Sequence, residues 1–159
     1  MAGGTSARKA ESVEPVRATA ELLGGKSIWK RPPTTKMEVH EAILEGIPGR
    51  ALKCMISHVH LIPADLVWGA IGISHRTVRR YSKEKTASLD QAQSARLWKF
   101  AEILAAAIDL QGSQEAGEEW LKTPQIALDQ KTPLEMMKTA AGAEMVQDLL
   151  IQLDHGVYP

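Results

Sequence analysis

The sequence has little cysteine and no long hydrophobic run, and each shortage excludes a class of protein. A single cysteine, Cys54, rules out an intramolecular disulfide. The longest apolar runs, such as residues 103–108, are far shorter than the roughly 20 residues of a membrane-spanning helix, and no signal-peptide apolar region follows the start. We therefore expect a cytoplasmic protein without a membrane partner.

The patterns that catalysis and metal binding require are also missing. The chain shows no nucleophile-base pair, no phosphate-cradling glycine loop and no spaced set of metal ligands. His58 and His60 are two residues apart on a predicted helix, so they point in different directions and lack a third ligand. Cys54 lies in an apolar helical pattern, which favours an inert thiol. We predict a protein that is not an enzyme and needs neither cofactor nor metal.

Charge is balanced in total, with 19 basic and 19 acidic residues, but it is distributed unevenly. Residues 1–36 carry seven basic and three acidic side chains, whereas residues 113–159 carry three basic and eight acidic ones. This polarity suits a protein that touches a polyanion with one end and a different partner with the other. Solubility alone is the alternative explanation.

Apolar periodicity and capping patterns predict an all-α chain. The spacing of Leu97, Phe100 and Leu104 indicates a long helix. Three capping boxes, in which a side chain and a backbone N–H satisfy each other reciprocally, are predicted to begin at Thr35, Ser88 and Thr132. Residues 1–35 show no sustained periodicity and are interpreted as a flexible N-terminal arm.

Residues 63–82 predict two short helices joined by a turn at Gly72 and Ile73, which is a helix-turn-helix. From Ser74 to Lys85 there are five basic residues and one acidic residue. Arginine pairs with guanine or phosphate, and hydroxyls and amides at a helix start hold a phosphate. We therefore predict DNA binding, with a solvated basic face as the alternative. The candidate DNA-binding residues are Ser74, His75, Arg76, Thr77, Arg79 and Arg80.

The stretch from Gly72 to Arg80 resembles the turn and recognition helix of Xre-type, or Cro/repressor-like, regulators. The resemblance implies that the second helix enters the major groove of operator DNA. Such binding normally needs two copies about one helical turn apart, so it also implies a homodimer or a larger assembly.

The last third of the chain carries a second series of motifs. Its order is Glu119-Trp120-Leu121, Pro124, Leu128, Lys131-x-Pro133-Leu134, Thr139-x-x-Gly142, Val146-x-x-Leu149 and Gly156-Val157-Tyr158. This order and spacing resemble the Xre/MbcA/ParS toxin-binding domain. The resemblance implies an antitoxin that covers the active-site cleft of a RES-domain toxin, a NAD-consuming or ADP-ribosylating enzyme. We interpret Trp120, Pro124, Leu128, Pro133, Leu134 and Leu149 as packing residues of this domain.

The chain ends on Gly156, Val157, Tyr158 and Pro159, an apolar tail where a polar one is usual. Glycine lets the chain leave the last helix at a sharp angle, and Val157 and Tyr158 supply apolar area at low entropic cost. We interpret these four residues as the toxin contact. For Tyr158 alone, folding back onto the last helix is an equal alternative.

Together these interpretations predict three parts: a flexible arm over 1–35, a Cro/repressor-like helix-turn-helix domain with its long helix over 36–112, and a small helical toxin-binding domain over 113–159. The predicted function is that of a type II antitoxin, which inhibits a cognate RES toxin and autoregulates its operon by binding operator DNA. A stand-alone dimeric helix-turn-helix repressor is the alternative, and it leaves the apolar chain end unexplained.

Overall fold

The computed structural model describes the backbone of residues 4–157 and the side chains of residues 13–157. Within this part of the chain the β contacts are limited to isolated bridges, so the prediction of an all-α protein is confirmed. The helices there are α1 Gly4–Leu22, α2 Lys36–Glu45, α3 Arg50–His58, α4 Ala64–Ile71, α5 His75–Lys83, α6 Gln91–Gln111, α7 Gln114–Lys122, α8 Pro133–Met136 and α9 Ala140–Asp154. Across residues 4–157, no helix combines the length and apolarity needed to span a membrane.

Helix α6 is the element on which the others pack. It buries Leu97, Phe100 and Leu104 along one stripe and Trp98 and Ile103 beside it. It contacts α1, α2, α4, α7 and α9. Because it is apolar on more than one side, α6 joins the helix-turn-helix region and the C-terminal helices through one continuous core.

The N-terminal region differs from the flexible arm that the sequence predicts. Helix α1 packs along α6 and buries Val16 and Ala20, and Leu23, directly after α1, is also buried. Pro15 lies inside α1 and interrupts the sequence pattern that would predict a helix, since proline has no backbone N–H to donate. The Thr19 hydroxyl donates to the Pro15 carbonyl at 2.7 Å within the helix. Residues 13–35 are therefore part of the folded structure, and residues 1–3 lie outside the described chain.

The start of α6 is a second difference. The capping box is formed by Asp90 and Gln93, whose side chains each accept a hydrogen bond from the other's backbone N–H, at 2.7 and 3.2 Å. Ser88 does not cap the helix, which begins at Gln91, and it forms an isolated bridge with Pro48 instead. The N–H of the buried Leu89 donates to the Ile47 carbonyl at 2.8 Å. The capping boxes that begin at Thr35 and Thr132 are confirmed.

Helices α7, α8 and α9 form the C-terminal part of the fold. The carbonyl of Met136 occupies the space that a Cβ at Gly142 would need, so this position of the Thr139-x-x-Gly142 motif requires glycine. Thr139 caps α9 by accepting from the Gly142 N–H at 3.0 Å. Of the six predicted packing residues, Pro124 is exposed and the other five are buried.

Replacing Trp120 by alanine should lower the free energy of unfolding by about 3–5 kcal/mol, because a large buried side chain leaves a cavity. Chemical denaturation measures the loss. Pro124→Ala is the control and should stay close to the parent, since Pro124 is exposed. A Trp120→Ala protein of parental stability would contradict the packing role.

Candidate functional site

The helix-turn-helix region has the local geometry that its sequence predicts. Helix α4 ends at Gly72, which adopts a left-handed conformation with φ 76°. Ile73 is buried, and Ser74 then caps α5 by accepting from the Thr77 N–H at 3.2 Å. The turn thus fixes where the first residues of α5 face.

The six predicted DNA-binding residues lie together on one side of this region. Five of them are exposed, and Thr77 is half-buried. On the opposite side Tyr81 is buried and anchors α5 to the core. His75 Nε2 lies 3.3 Å from Asp65 Oδ1 on α4. Within the described part of the chain, neither Arg76 nor Arg79 forms a salt bridge, so both guanidinium groups are available to an anion.

Arg80 differs from the other two arginines because it is held by a neighbouring aromatic ring. Its guanidinium carbon lies 5.0 Å from the centre of the Tyr81 ring, and its Nη2 donates to Tyr81 Oη at 3.2 Å. The Tyr81 hydroxyl also lies 3.3 Å from the Ser88 carbonyl and 3.2 Å from Gln93 Oε1. Arg80 therefore supports the packing of α5 as well as adding charge to its surface.

Arg96 is a basic residue at this surface that sequence reasoning missed. It is exposed on α6, and its guanidinium lies against the turn at Gly72, in the space that a Cβ there would need. Glycine therefore suits position 72 for two reasons: it adopts the positive φ, and it leaves room for the Arg96 guanidinium. Only the packing of α6 on α4 brings the two residues together, and no local motif marks Arg96.

The C-terminal end of α9 has a defined geometry up to Val157. The Gly156 N–H donates to the Leu153 carbonyl at 3.0 Å, and the Val157 N–H donates to the Gln152 carbonyl at 2.8 Å. With Gly156 at φ 72°, this pair of bonds is a Schellman motif, which satisfies the last carbonyls of the helix. Glycine suits this position because of its positive φ and not for lack of space, since a Cβ here would meet no neighbouring atom.

The same motif leaves an apolar side chain in solvent. Val157 is 55% exposed, and Ile151, in the last turns of α9, is 51% exposed. The structure therefore presents Gly156 and Val157 at the surface, where a partner can reach them. Tyr158 and Pro159, the other two predicted contact residues, lie outside the described residues.

A buried carboxylate joins the C-terminal helices to the segment that leads into α4. Glu118, on α7, is fully buried and accepts hydrogen bonds from the backbone N–H groups of His60 and Leu61. Burial alone raises the pKa of Glu118. Hydrogen bonds from the Gln114 amide and from the N–H groups of Leu61 and His60 outweigh this effect and hold the pKa below its usual value of 4.5. Glu118 therefore remains an acceptor at neutral pH.

Glu118→Gln should lower the free energy of unfolding by about 2–3 kcal/mol at pH 7. The N–H groups of the glutamine amide would face the backbone N–H groups that now donate to the Glu118 carboxylate, so buried donors would lose their acceptor. A lowered pKa stabilises the fold above the unfolded-state pKa, and this contribution is lost as pH falls through the folded-state pKa. The stability gap between parent and variant should therefore narrow below about pH 4.5. Denaturation at several pH values measures it. Glu119→Gln, an exposed neighbour on α7, is the control and should lower stability by no more than about 1 kcal/mol, because its salt bridge with Lys122 lies at the surface. A gap of constant size would contradict the charged role.

Comparison with known proteins identifies the C-terminal part of the chain. Residues 106–156 match the family described as the Antitoxin Xre/MbcA/ParS C-terminal toxin-binding domain. The match begins inside α6, ahead of the boundary predicted at residue 113, and ends at Gly156.

Two curated proteins also resemble the chain beyond that region. An "Antitoxin Xre" from Yersinia enterocolitica is 31% identical over 108 residues, which is 65% of this chain and 72% of the relative. An "Antitoxin Xre" from Photorhabdus laumondii is 31% identical over 80 residues, which is 50% of this chain and 53% of the relative.

Among the described residues, no group of three or more histidine, cysteine or acidic side chains has the arrangement of a metal site.

Proposed function

The chain belongs to the family of Xre antitoxins, and from this premise we propose that it inhibits a cognate RES-domain toxin by covering the toxin's active site with its C-terminal end. The toxin is a NAD-consuming or ADP-ribosylating enzyme in this proposal. The contact is made by Gly156, Val157, Tyr158 and Pro159.

The observation that carries the proposal is the toxin-binding domain match, which ends at Gly156, two residues after the end of α9. The Schellman motif there fixes the direction in which the chain leaves the helix, and Val157 is left exposed. A tail whose direction is fixed loses less conformational entropy on binding than a free one. The geometry therefore supports a short, pre-directed segment as the inhibitory element.

We further propose that the chain represses its own operon as a homodimer or in a larger assembly with the toxin. Arg76 and Arg79 face solvent without acidic partners among the described residues, and Arg96 adds charge beside the turn. Exposed arginines at the start of a helix suit contact with phosphates and base edges. Two copies on a palindromic operator would place two such helices in successive major grooves.

A growth assay tests the proposed function. The reading frame adjacent to this chain is expected to encode the toxin, so inducing that frame alone should arrest growth. Co-expression of the full chain should restore growth. Continued arrest, with operator binding intact, would contradict the antitoxin role and favour the stand-alone dimeric repressor.

A further inference from the structure

A groove with a volume of about 380 Å³ lies between α1, α6 and α9. Its floor is apolar, and its rim carries four carboxylates. The apolar lining includes Pro15, Ala18, Ala106, Leu110, Leu150 and Ile151, and the acidic lining is Glu14, Glu102, Asp109 and Asp154. One wall thus comes from α1, which lies outside the matched toxin-binding domain.

The charge of the groove specifies the kind of partner that fits it. Among the side chains that the structure describes, no lysine or arginine lines it. Glu102 is paired with Lys99 at 3.5 Å, and Glu14 lies 3.9 Å from the exposed Arg17. Over the described residues, Asp109 and Asp154 form no salt bridge. An apolar floor beside two unpaired carboxylates favours an apolar segment that carries lysine or arginine.

The groove reaches the last turn of α9, next to the proposed toxin contact. Ile151 and Asp154 line the groove, and α9 ends at Asp154, three residues before Val157. Ile151 and Val157 are both about half exposed. A protein bound at the end of α9 would therefore lie next to one side of the groove.

We propose that this groove is a docking site for a basic, apolar segment of the toxin, which anchors the toxin beside the inhibitory tail. The proposal rests on the proposed function. The volume of the groove lies near the lower end of the range for ligand pockets, which suits one or two inserted side chains of a protein partner. Helix α1 then forms part of the toxin interface, and the toxin is held at two points.

The test measures binding of the purified toxin encoded beside this chain to the full chain and to two groove variants. Glu14→Lys/Asp109→Lys reverses charge at exposed rim positions, and Ala106→Trp fills the groove from an exposed position on α6. The control, Glu41→Lys/Asp148→Lys, makes the same change in net charge at exposed positions outside the groove. Thermal melting establishes that every variant is folded.

The toxin's Kd should rise about tenfold or more for both groove variants, and for the charge variant the association rate should fall and lose salt dependence. The control should bind within about twofold of the parent. Unchanged Kd values for the groove variants, with tight binding by the parent, would overturn the docking site and leave the antitoxin role standing. A change in self-association without a change in toxin affinity would overturn it in favour of a second copy of this chain. Failure of the parent to bind the toxin would overturn both proposals.

Discussion

A chain that lacks Gly156–Pro159 should no longer protect cells from the toxin, although it should still fold. The removed residues make no contribution to the buried core among the described side chains, so we expect the melting temperature to change by only a few degrees. Loss of an apolar plug that fills an enzyme cleft should raise the inhibition constant on the order of 30-fold or more. Growth with co-expressed toxin and the Ki of the purified proteins measure the effect.

Single substitutions at Gly156 test whether inhibition depends on the direction of the tail as well as on its presence. Asparagine tolerates a positive φ, so Gly156→Asn should preserve the Schellman motif and nearly all inhibition. Valine is strained at this φ, so Gly156→Val should redirect the tail and weaken inhibition. Full neutralisation by the truncated chain would show that the tail is not the inhibitory element.

The second large effect is expected for Arg76→Ala/Arg79→Ala, which should weaken operator binding by about 100-fold or more. Both side chains are exposed and unpaired among the described residues, so their removal should leave the fold intact. Operator affinity should also depend less steeply on salt. The slope of the logarithm of the binding constant against the logarithm of the salt concentration should become shallower by about 0.9 for each DNA phosphate that the variant no longer neutralises. Titrations of operator DNA at several salt concentrations measure both quantities.

Arg80 is left in place in this variant because its contact with Tyr81 would confuse loss of charge with loss of packing. Lys131→Ala/Lys138→Ala is the matched control, since it removes two exposed charges from the C-terminal part of the chain. The control should retain the operator affinity of the parent. Equal affinity of the arginine variant and the parent would identify the basic face of α5 as merely solvated.

Local chemistry explains which parts of the fold the sequence predicts well. The predicted helix starts at Thr35 and Thr132 depend on a hydroxyl that accepts a backbone N–H three residues ahead, which is a purely local interaction. At α6 the cap moves from Ser88 to Asp90 because of long-range bonds. The backbone of Leu89 pairs with Ile47, and a local pattern cannot show that contact.

Tertiary contacts also explain what the sequence does not reveal about α1 and the candidate sites. Helix α1 is stabilised by burial on α6, while Pro15 weakens its local signal. Arg96 and Glu118 act on residues that are distant in the chain, at Gly72 and at His60. Exposure of the α5 basic face and of Val157, in contrast, follows from helical periodicity and from the glycine that ends α9.

A titration of the toxin's NAD consumption measures whether the C-terminal end of this chain inhibits the enzyme. The purified toxin is held at a fixed concentration while the full chain, or the chain without Gly156–Pro159, is added. We expect the full chain to stop NAD consumption at a stoichiometric ratio and the truncated chain to leave most of the activity in place. Undiminished NAD consumption in a saturated complex with the full chain would contradict it.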